Sequence, residues 1–502
     1  MTNPKNPRIL LVTPETTYLP EGMGNLANAM AAKAGGLADV SASLISALFH
    51  QGADVHVAMP DYRAMFDNQM DPVHRKQRHI IRTQMPHERV HLAEDRAFFY
   101  LHNVYSSHGW ENMRISLAFQ REVMNHIVPS VKPDLIHCND WMTALIPAMS
   151  RQMEIPCLFT AHNIHTVKAT LAHIEDRGID AAYFWDHLYY DQMAVEYETT
   201  RETIPVDFLT SGVFAAHFVN TVSPTFLREI VEGYHNFVFP SLRRELTNKW
   251  HADCAVGILN SPDPGFNPAD DKVLIRQYGP DDHTVGKIQN KRYLQKSLGL
   301  AQNDNAPLFF WPSRLDNSQK GCQLMAEILY QTVDTYWDRQ LEIVFVANGA
   351  FKQILRDIVA FHGIEERVAV CDFDERLSRM AYAGSDFILM PSLFEPCGLP
   401  QMIAPIYGSL PVARDSGGIH DTVTHLNMEA DTGNGFLFEH YDSAGLFWAI
   451  GQAMEFYARP VSLRQAHITR IMHHAQKTFN HDVTASKYID LYERMLERPL
   501  IN

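Results

Sequence analysis

Phe387-Ile388-Leu389-Met390-Pro391-Ser392-Leu393-Phe394-Glu395-Pro396-Cys397-Gly398-Leu399 is an apolar run that breaks into a turn carrying an acid, two prolines and a glycine. A short run of aliphatic and aromatic side chains bounded by proline reads as a strand buried on both faces. Such strands belong to parallel sheets, and in an open parallel sheet ligands bind beyond the carboxyl ends of the strands. The turn after Met390 therefore predicts a ligand loop. Glu395 can accept hydrogen bonds from hydroxyls, and Gly398 lets the backbone N–H groups of Cys397, Gly398 and Leu399 face a ligand. The same residues also suit a helix start with a favourable acid beside it.

Working outward, runs of the same kind recur at Leu308 to Trp311, Ile343 to Ala347, Val368 to Cys371 and Leu410 to Ala413. An earlier series comprises Ile9 to Val12, Val55 to Met59, Leu135 to Cys138, Cys157 to Thr160 and Phe218 to Val222. Stretches with helical spacing separate them, and strand–helix alternation predicts an α/β chain with two doubly wound, Rossmann-like domains. Pro262, Pro264, Pro268 and Pro280 with neighbouring glycines and aspartates make Gly257 to Gly286 poor helix or strand material, so the interdomain connection is placed there. This divides the chain into residues 1–256, 257–482 and a terminal segment, 483–502. In that segment Tyr488, Leu491, Tyr492, Met495 and Leu496 fall on one helical stripe that must pack on something.

Bulk properties narrow the function. A chain of 502 residues exceeds what one core usually organises. The formal charge of −15 argues against a general nucleic-acid binder, which gains affinity from a basic surface. The six cysteines are scattered and read as reduced thiols, which points to the cytoplasm. Met1 to Arg8 lacks a signal-like apolar core and no apolar run is long enough to span a bilayer, so neither secretion nor a membrane partner is expected.

The residues after the other runs are polar in a consistent way. The first run leads through Glu15 to Lys33-Ala34-Gly35-Gly36-Leu37, which opens a helix with apolar positions Leu37, Val40, Leu44, Ile45 and Leu48. Paired glycines at a helix start let backbone N–H groups meet an anion, with Lys33 adding charge, although a tight turn with a surface lysine fits equally. Asn139-Asp140-Trp141 follows the third run and His162-Asn163 the fourth. Polar and aromatic groups at adjacent strand ends suit a sugar, whose hydroxyls need partners and whose ring face accepts stacking. His162 alone would read as a structural histidine, and this set is too sparse for zinc. In the second series, Arg314 and Gln319-Lys320-Gly321 bring cations that can take phosphate oxygens, by a guanidinium fork and a point charge.

Taken in order, Lys33-Ala34-Gly35-Gly36-Leu37, Asp140-Trp141, His162-Asn163, Arg314 with Gln319-Lys320-Gly321, Phe394 to Leu399 and Arg414 to Gly418 resemble the glycogen and starch synthase family. Thr221-Val222-Ser223-Pro224, Gly257-Ile258-Leu259-Asn260, Asn267-Pro268 and Asn290-Lys291 fit it too, so the resemblance spans nearly the whole chain. It implies a GT-B architecture of two facing Rossmann-like domains, with the C-terminal helix returning to the first. It also implies metal-independent transfer of glucose, without a cofactor, from ADP-glucose or UDP-glucose to the non-reducing end of an α-1,4-glucan, with retention at the anomeric carbon.

Carried over by position, Lys33, Gly35 and Gly36 meet the phosphate side of the donor, and Arg314 and Lys320 its pyrophosphate. Asp140 and His162 lie near the transferred glucose. Glu395, with the backbone at Cys397, Gly398 and Leu399, holds that glucose. Phe373 stacks on the nucleobase, and Glu15 and Asn260 complete the donor set. The chain departs from the family pattern in a longer stretch between Glu15 and Lys33, a wider spacing of Arg314 and Lys320, Pro400 where a threonine is usual, Ser261-Pro262 in place of Gly-Ile, and no Tyr-Gln after Asn163. Pro400 brings neither an N–H nor a hydroxyl. These departures leave open a related retaining glycosyltransferase with another donor or acceptor, and a non-catalytic glucan- or nucleotide-binding paralogue; a nucleotide-sugar epimerase of similar build is a third reading. The donor base, acceptor length and subunit number stay open.

Overall fold

The computed structural model describes residues 6–24, 30–69, 89–316 and 318–501. Parts of the N-terminal octapeptide and of the long stretch between Glu15 and Lys33 lie outside the described residues. The chain forms two compact units: Met1–Asn260 together with His481–Asn502, and Ser261–Asn480.

The strands of the first unit are β1 (Arg8–Val12), β2 (Asp54–Pro60), β3 (Val90–Ala93), β4 (Leu135–Asn139), β5 (Cys157–Ala161), β6 (Lys168–Ala169), β7 (Val206–Asp207), β8 (Phe218–Thr221) and β9 (Ala255–Gly257). Seven of them build one sheet in the order β3-β2-β1-β4-β5-β8-β9, all neighbours parallel, while β6 and β7 pair as a separate antiparallel ribbon. The order reverses between β1 and β4, where Val12 lies opposite Cys138. Residues just beyond those two strands therefore stand at the topological switch, where open α/β sheets leave a crevice.

The second unit repeats the plan with β10 (Leu308–Trp311), β11 (Glu342–Val346), β12 (Val368–Cys371), β13 (Phe387–Met390), β14 (Leu410–Arg414) and β15 (Phe436–Phe438). Its sheet runs β12-β11-β10-β13-β14-β15, parallel throughout, with the switch between β10 and β13. Both sheets are buried because their apolar strands are covered by helices; Phe309, Trp311, Phe345, Leu389 and Val412 lie in one such core.

Three helices bear most directly on the strand ends: α1 (Gly36–His50), α2 (Cys322–Thr335) and α3 (His481–Leu496). Helix α3 carries the stripe read from sequence: Tyr488, Leu491 and Tyr492 are buried in the first unit, where α3 packs on α1. Each fully buried apolar side chain of that size contributes roughly 2 kcal/mol before entropy is counted.

The α/β plan with two parallel sheets is therefore present. Strands β3, β9 and β15 lie outside the runs read from sequence. They are edge strands of three or four residues, β3 mixed in polarity, β9 ending in glycine and β15 apolar but only three residues long, so each carries little periodic signal.

Candidate active site

In the first unit the chain leaves β1 through Thr13 and Pro14 to Glu15, which is buried. One Glu15 oxygen, Oε2, accepts the backbone N–H groups of Ala34 (2.6 Å) and Gly35 (3.1 Å), and the other, Oε1, accepts the Tyr105 hydroxyl (3.3 Å). Burial raises the Glu15 pKa, and the two amides oppose that shift. The sequence alone leaves the Gly35 N–H open to a donor phosphate, whereas here the protein's own carboxylate takes it, because a buried carboxylate needs donors. Lys33 stands at the exposed start of this turn and pairs with Asp39 of α1 at 2.9 Å. The backbone of Thr16 bridges that of Ala32, closing the base of the long stretch between Glu15 and Lys33.

Beside this turn, Asp140 follows β4 with φ 63° and ψ 179°, a conformation costly for any residue but glycine. Its Oδ2 accepts Asn163 Nδ2 at 2.8 Å, while its buried Oδ1 has no hydrogen-bond partner among the described residues. Burial pushes its pKa up to about 7, against the opposing Trp141 amide and Asn163. Next to it, His162 Nε2 and Asn139 Oδ1 lie 2.9 Å apart, and desolvation lowers the His162 pKa to about 4. At neutral pH the ring is therefore neutral, and Nε2 must donate, since an amide oxygen only accepts. Asn260, shortly after β9, is also buried with an unpartnered Oδ1 among the described residues.

In the second unit, the half-buried Lys320 and the buried Glu395 form an ion pair at 2.6 Å, and Ser392 Oγ also donates to Glu395 at 3.2 Å. Gly321 follows with φ 72° and begins α2, with its Cα so close to the Pro391 carbonyl that an added Cβ would lie 2.0 Å from that oxygen. The turn after β13 is braced from the other side: Gly418 N donates to the Glu395 carbonyl, and a Cβ on Gly418 would meet the Cys397 oxygen at 2.0 Å. Gly398, at φ 73°, sits over the Gln401 side chain, whose Nε2 donates to the Cys397 and Gly398 carbonyls. Leu399 precedes the short helix Pro400–Ile406, so Pro400 occupies the first helical position, where a missing N–H costs least. Arg314, beyond β10, is 76% exposed, with Asp316 at 3.9 Å. Phe373, beyond β12, holds an exposed ring on a backbone whose N–H donates to Asn348 Oδ1.

The structure thus brings Glu15, Gly35, Asp140 and His162 to adjacent strand ends of one unit, and Lys320, Glu395, Cys397 and Gly398 into one braced turn of the other. Lys33, Gly36, Arg314 and Phe373 are solvent-facing and open to a ligand, Lys33 while paired with Asp39 and Arg314 with only Asp316 at 3.9 Å. Sequence reasoning quoted Asn139 and Ser392 within their motifs without giving either a role, and missed Tyr105 and the buried Ser416 hydroxyl, which has no partner among the described residues. Asn139 and Ser392 lie within strand-end motifs and could have been singled out; Tyr105 stands in an irregular stretch with no local signal. Among the described residues no three His, Cys, Asp or Glu side chains converge to hold a metal ion, and no helix is long and apolar enough to cross a membrane.

Residues 8–240 match the family described as starch synthase catalytic domain, and residues 306–455 match glycosyl transferases group 1. A glycogen synthase of Syntrophotalea carbinolica is 32% identical, the match covering 93% of this chain and 96% of that protein. The solved catalytic domain of starch synthase IV from Arabidopsis thaliana, bound to ADP and acarbose, is 25% identical with a TM-score of 0.77, covering 98% of this chain and 100% of that one. A sucrose-phosphate synthase from Thermosynechococcus elongatus shares the fold at a TM-score of 0.58 and 17% identity, over 98% of this chain and 99% of that one. On these matches along nearly its whole length, the chain belongs to the glycogen and starch synthase family of glycosyltransferases.

Proposed function

We propose that this glycosyltransferase moves glucose from ADP-glucose or UDP-glucose onto the non-reducing end of an α-1,4-glucan with retention, and acts in the cytoplasm. The observation that carries the reading is the part-buried Lys320–Glu395 pair inside a turn held by Gly321 and Gly418. A cation and an anion fixed side by side suit a sugar diphosphate: the ammonium neutralises phosphate charge while the carboxylate accepts sugar hydroxyls. As the bond to the anomeric carbon breaks, negative charge grows on the departing diphosphate. Lys320, held beside Glu395, stabilises it without reorganising, which is the chief catalytic resource here, and the exposed Arg314 adds charge by moving onto the diphosphate. The acceptor hydroxyl's proton passes to the leaving phosphate oxygen on the same face.

Asp140 and His162 meet the transferred glucose. The unpartnered Oδ1 of Asp140 is an acceptor in want of a hydroxyl, and the neutral ring of His162 is a hydrogen-bonding group rather than a competing cation. Phe373 offers its face to the base. In support, the Arabidopsis relative was solved with ADP and acarbose, a nucleoside diphosphate and an oligosaccharide mimic. The test is a donor screen: purified protein, glycogen and either ADP-glucose or UDP-glucose, with released diphosphate and chain length followed together. Growth of the chain with one donor and equal release of its diphosphate is the expected result; release without chain growth would point to a different acceptor.

A further inference from the structure

Below the row that holds His162 lies a second polar row that the catalytic reading leaves unused. In a strand, side chains two residues apart share a face. His137 and Asn139 therefore share one face of β4, as Thr160 and His162 do at the end of β5. Asn139 pairs with His162 in the upper row at 2.9 Å; His137 Nε2 pairs with Thr160 Oγ1 in the lower row at 2.8 Å. The lower row does not end on the sheet. His137 Nδ1 lies 2.7 Å from the Tyr492 hydroxyl, and Asn220 of β8 donates to the Tyr488 hydroxyl at 2.8 Å and to Thr160 Oγ1 at 3.4 Å.

Both tyrosines come from α3, the segment through which the chain re-enters the first unit at His481. The connected path is Tyr492–His137–Thr160–Asn220–Tyr488, buried throughout. An apolar contact would have docked α3 as well. Placing polar groups there fixes the strands' lateral position, since each hydrogen bond has a narrow optimal length and direction, and a buried polar group left unpaired is costly.

We propose that Tyr492 and Tyr488 are positioning residues for glucosyl transfer: through His137, Thr160 and Asn220 they set the spacing of the strand ends that carry Asn139, Asp140 and His162. The inference rests on the transferase reading above and assigns the C-terminal helix a part in turnover as well as in stability. Tyr492→Phe and Thr160→Val each remove one hydroxyl and keep the volume. Leu491→Ala removes apolar packing from the same helix and leaves the row intact.

The test compares kcat, KM for the donor, melting temperature and the ring signals of 15N-histidine-labelled protein, with His162 assigned by its loss in His162→Gln. Misplaced catalytic groups cost about tenfold or more in rate, so Tyr492→Phe and Thr160→Val should lower kcat by that factor while donor KM stays within about twofold. The His162 signals should shift in both, whereas Leu491→Ala should lower the melting temperature most and keep kcat and the ring signals. The proposal is overturned if kcat and the His162 signals are unchanged in the two hydroxyl variants, or if kcat merely tracks melting temperature across all three. Should the parent protein transfer no glucose, the functional reading fails, and the ring signals alone decide the positioning role.

Discussion

Asp140 concentrates several costs in one side chain: a backbone conformation natural only to glycine, a carboxylate removed from water, and an oxygen with no partner among the described residues. Strain of that kind persists where the surroundings over-determine it, and it gathers at functional sites. The raised pKa gives this a measurable sign. Because the folded carboxyl titrates near 7 and the unfolded one near 3.8, its contribution to stability is complete below pH 4 and is lost as pH rises through 7. Asp140→Asn should therefore unfold at a higher temperature than the parent at pH 8. The gap should close toward pH 4, as thermal melts across pH would read, and transfer activity should fall by about a hundredfold or more, as loss of a transition-state contact typically does. Glu395 makes the complementary case. Glu395→Ala leaves the part-buried Lys320 ammonium without its partner carboxylate, which should cost about 1 to 2 kcal/mol, measurable by urea unfolding at neutral pH.

Glycines lock the elements around that pair. Gly418→Ala and Gly321→Ala each put a methyl carbon 2.0 Å from a carbonyl oxygen, of Cys397 and Pro391 respectively, so the turn must shift in either variant. Gly321 also sits at φ 72°, where a side chain adds backbone strain. Both variants should lose about 2 kcal/mol or more of stability and most donor binding, checked by urea unfolding and by calorimetric titration with ADP. The central strands are legible because Leu308 to Trp311 or Phe387 to Met390 are apolar at every position, bury both faces and need no partner to be recognised. Edge strands such as Val90–Ala93 carry polar residues and depend on a neighbour. The candidate site divides similarly. Lys320 and Glu395 stood out through their glycine turns, but Tyr105 gains its meaning from Glu15, 90 residues away in sequence, a contact only the folded chain creates. The same holds for the carboxylate of Glu15 on the Gly35 amide, which no local pattern encodes.

At the scale of the whole molecule, the second unit is a contiguous segment with its own sheet and core, whereas the first needs both ends of the chain. Residues 261–480 expressed alone should unfold cooperatively on heating. Residues 1–260 alone would expose the face that α3 covers and leave His137 and Asn220 without their tyrosine partners, so that fragment should bind a hydrophobic dye and melt broadly, as circular dichroism and dye fluorescence would read. Glucosyl transfer through the Lys320 site, as proposed, ties turnover to one ammonium. The direct measurement is the initial rate of diphosphate release coupled to glycogen elongation, in the parent and in Lys320→Ala side by side. Equal moles of diphosphate and added glucose are predicted in the parent, with a loss of about a hundredfold or more in kcat for the variant. A parent that elongates glycogen with neither donor, or a Lys320→Ala variant that turns over at the parent's rate, would contradict it.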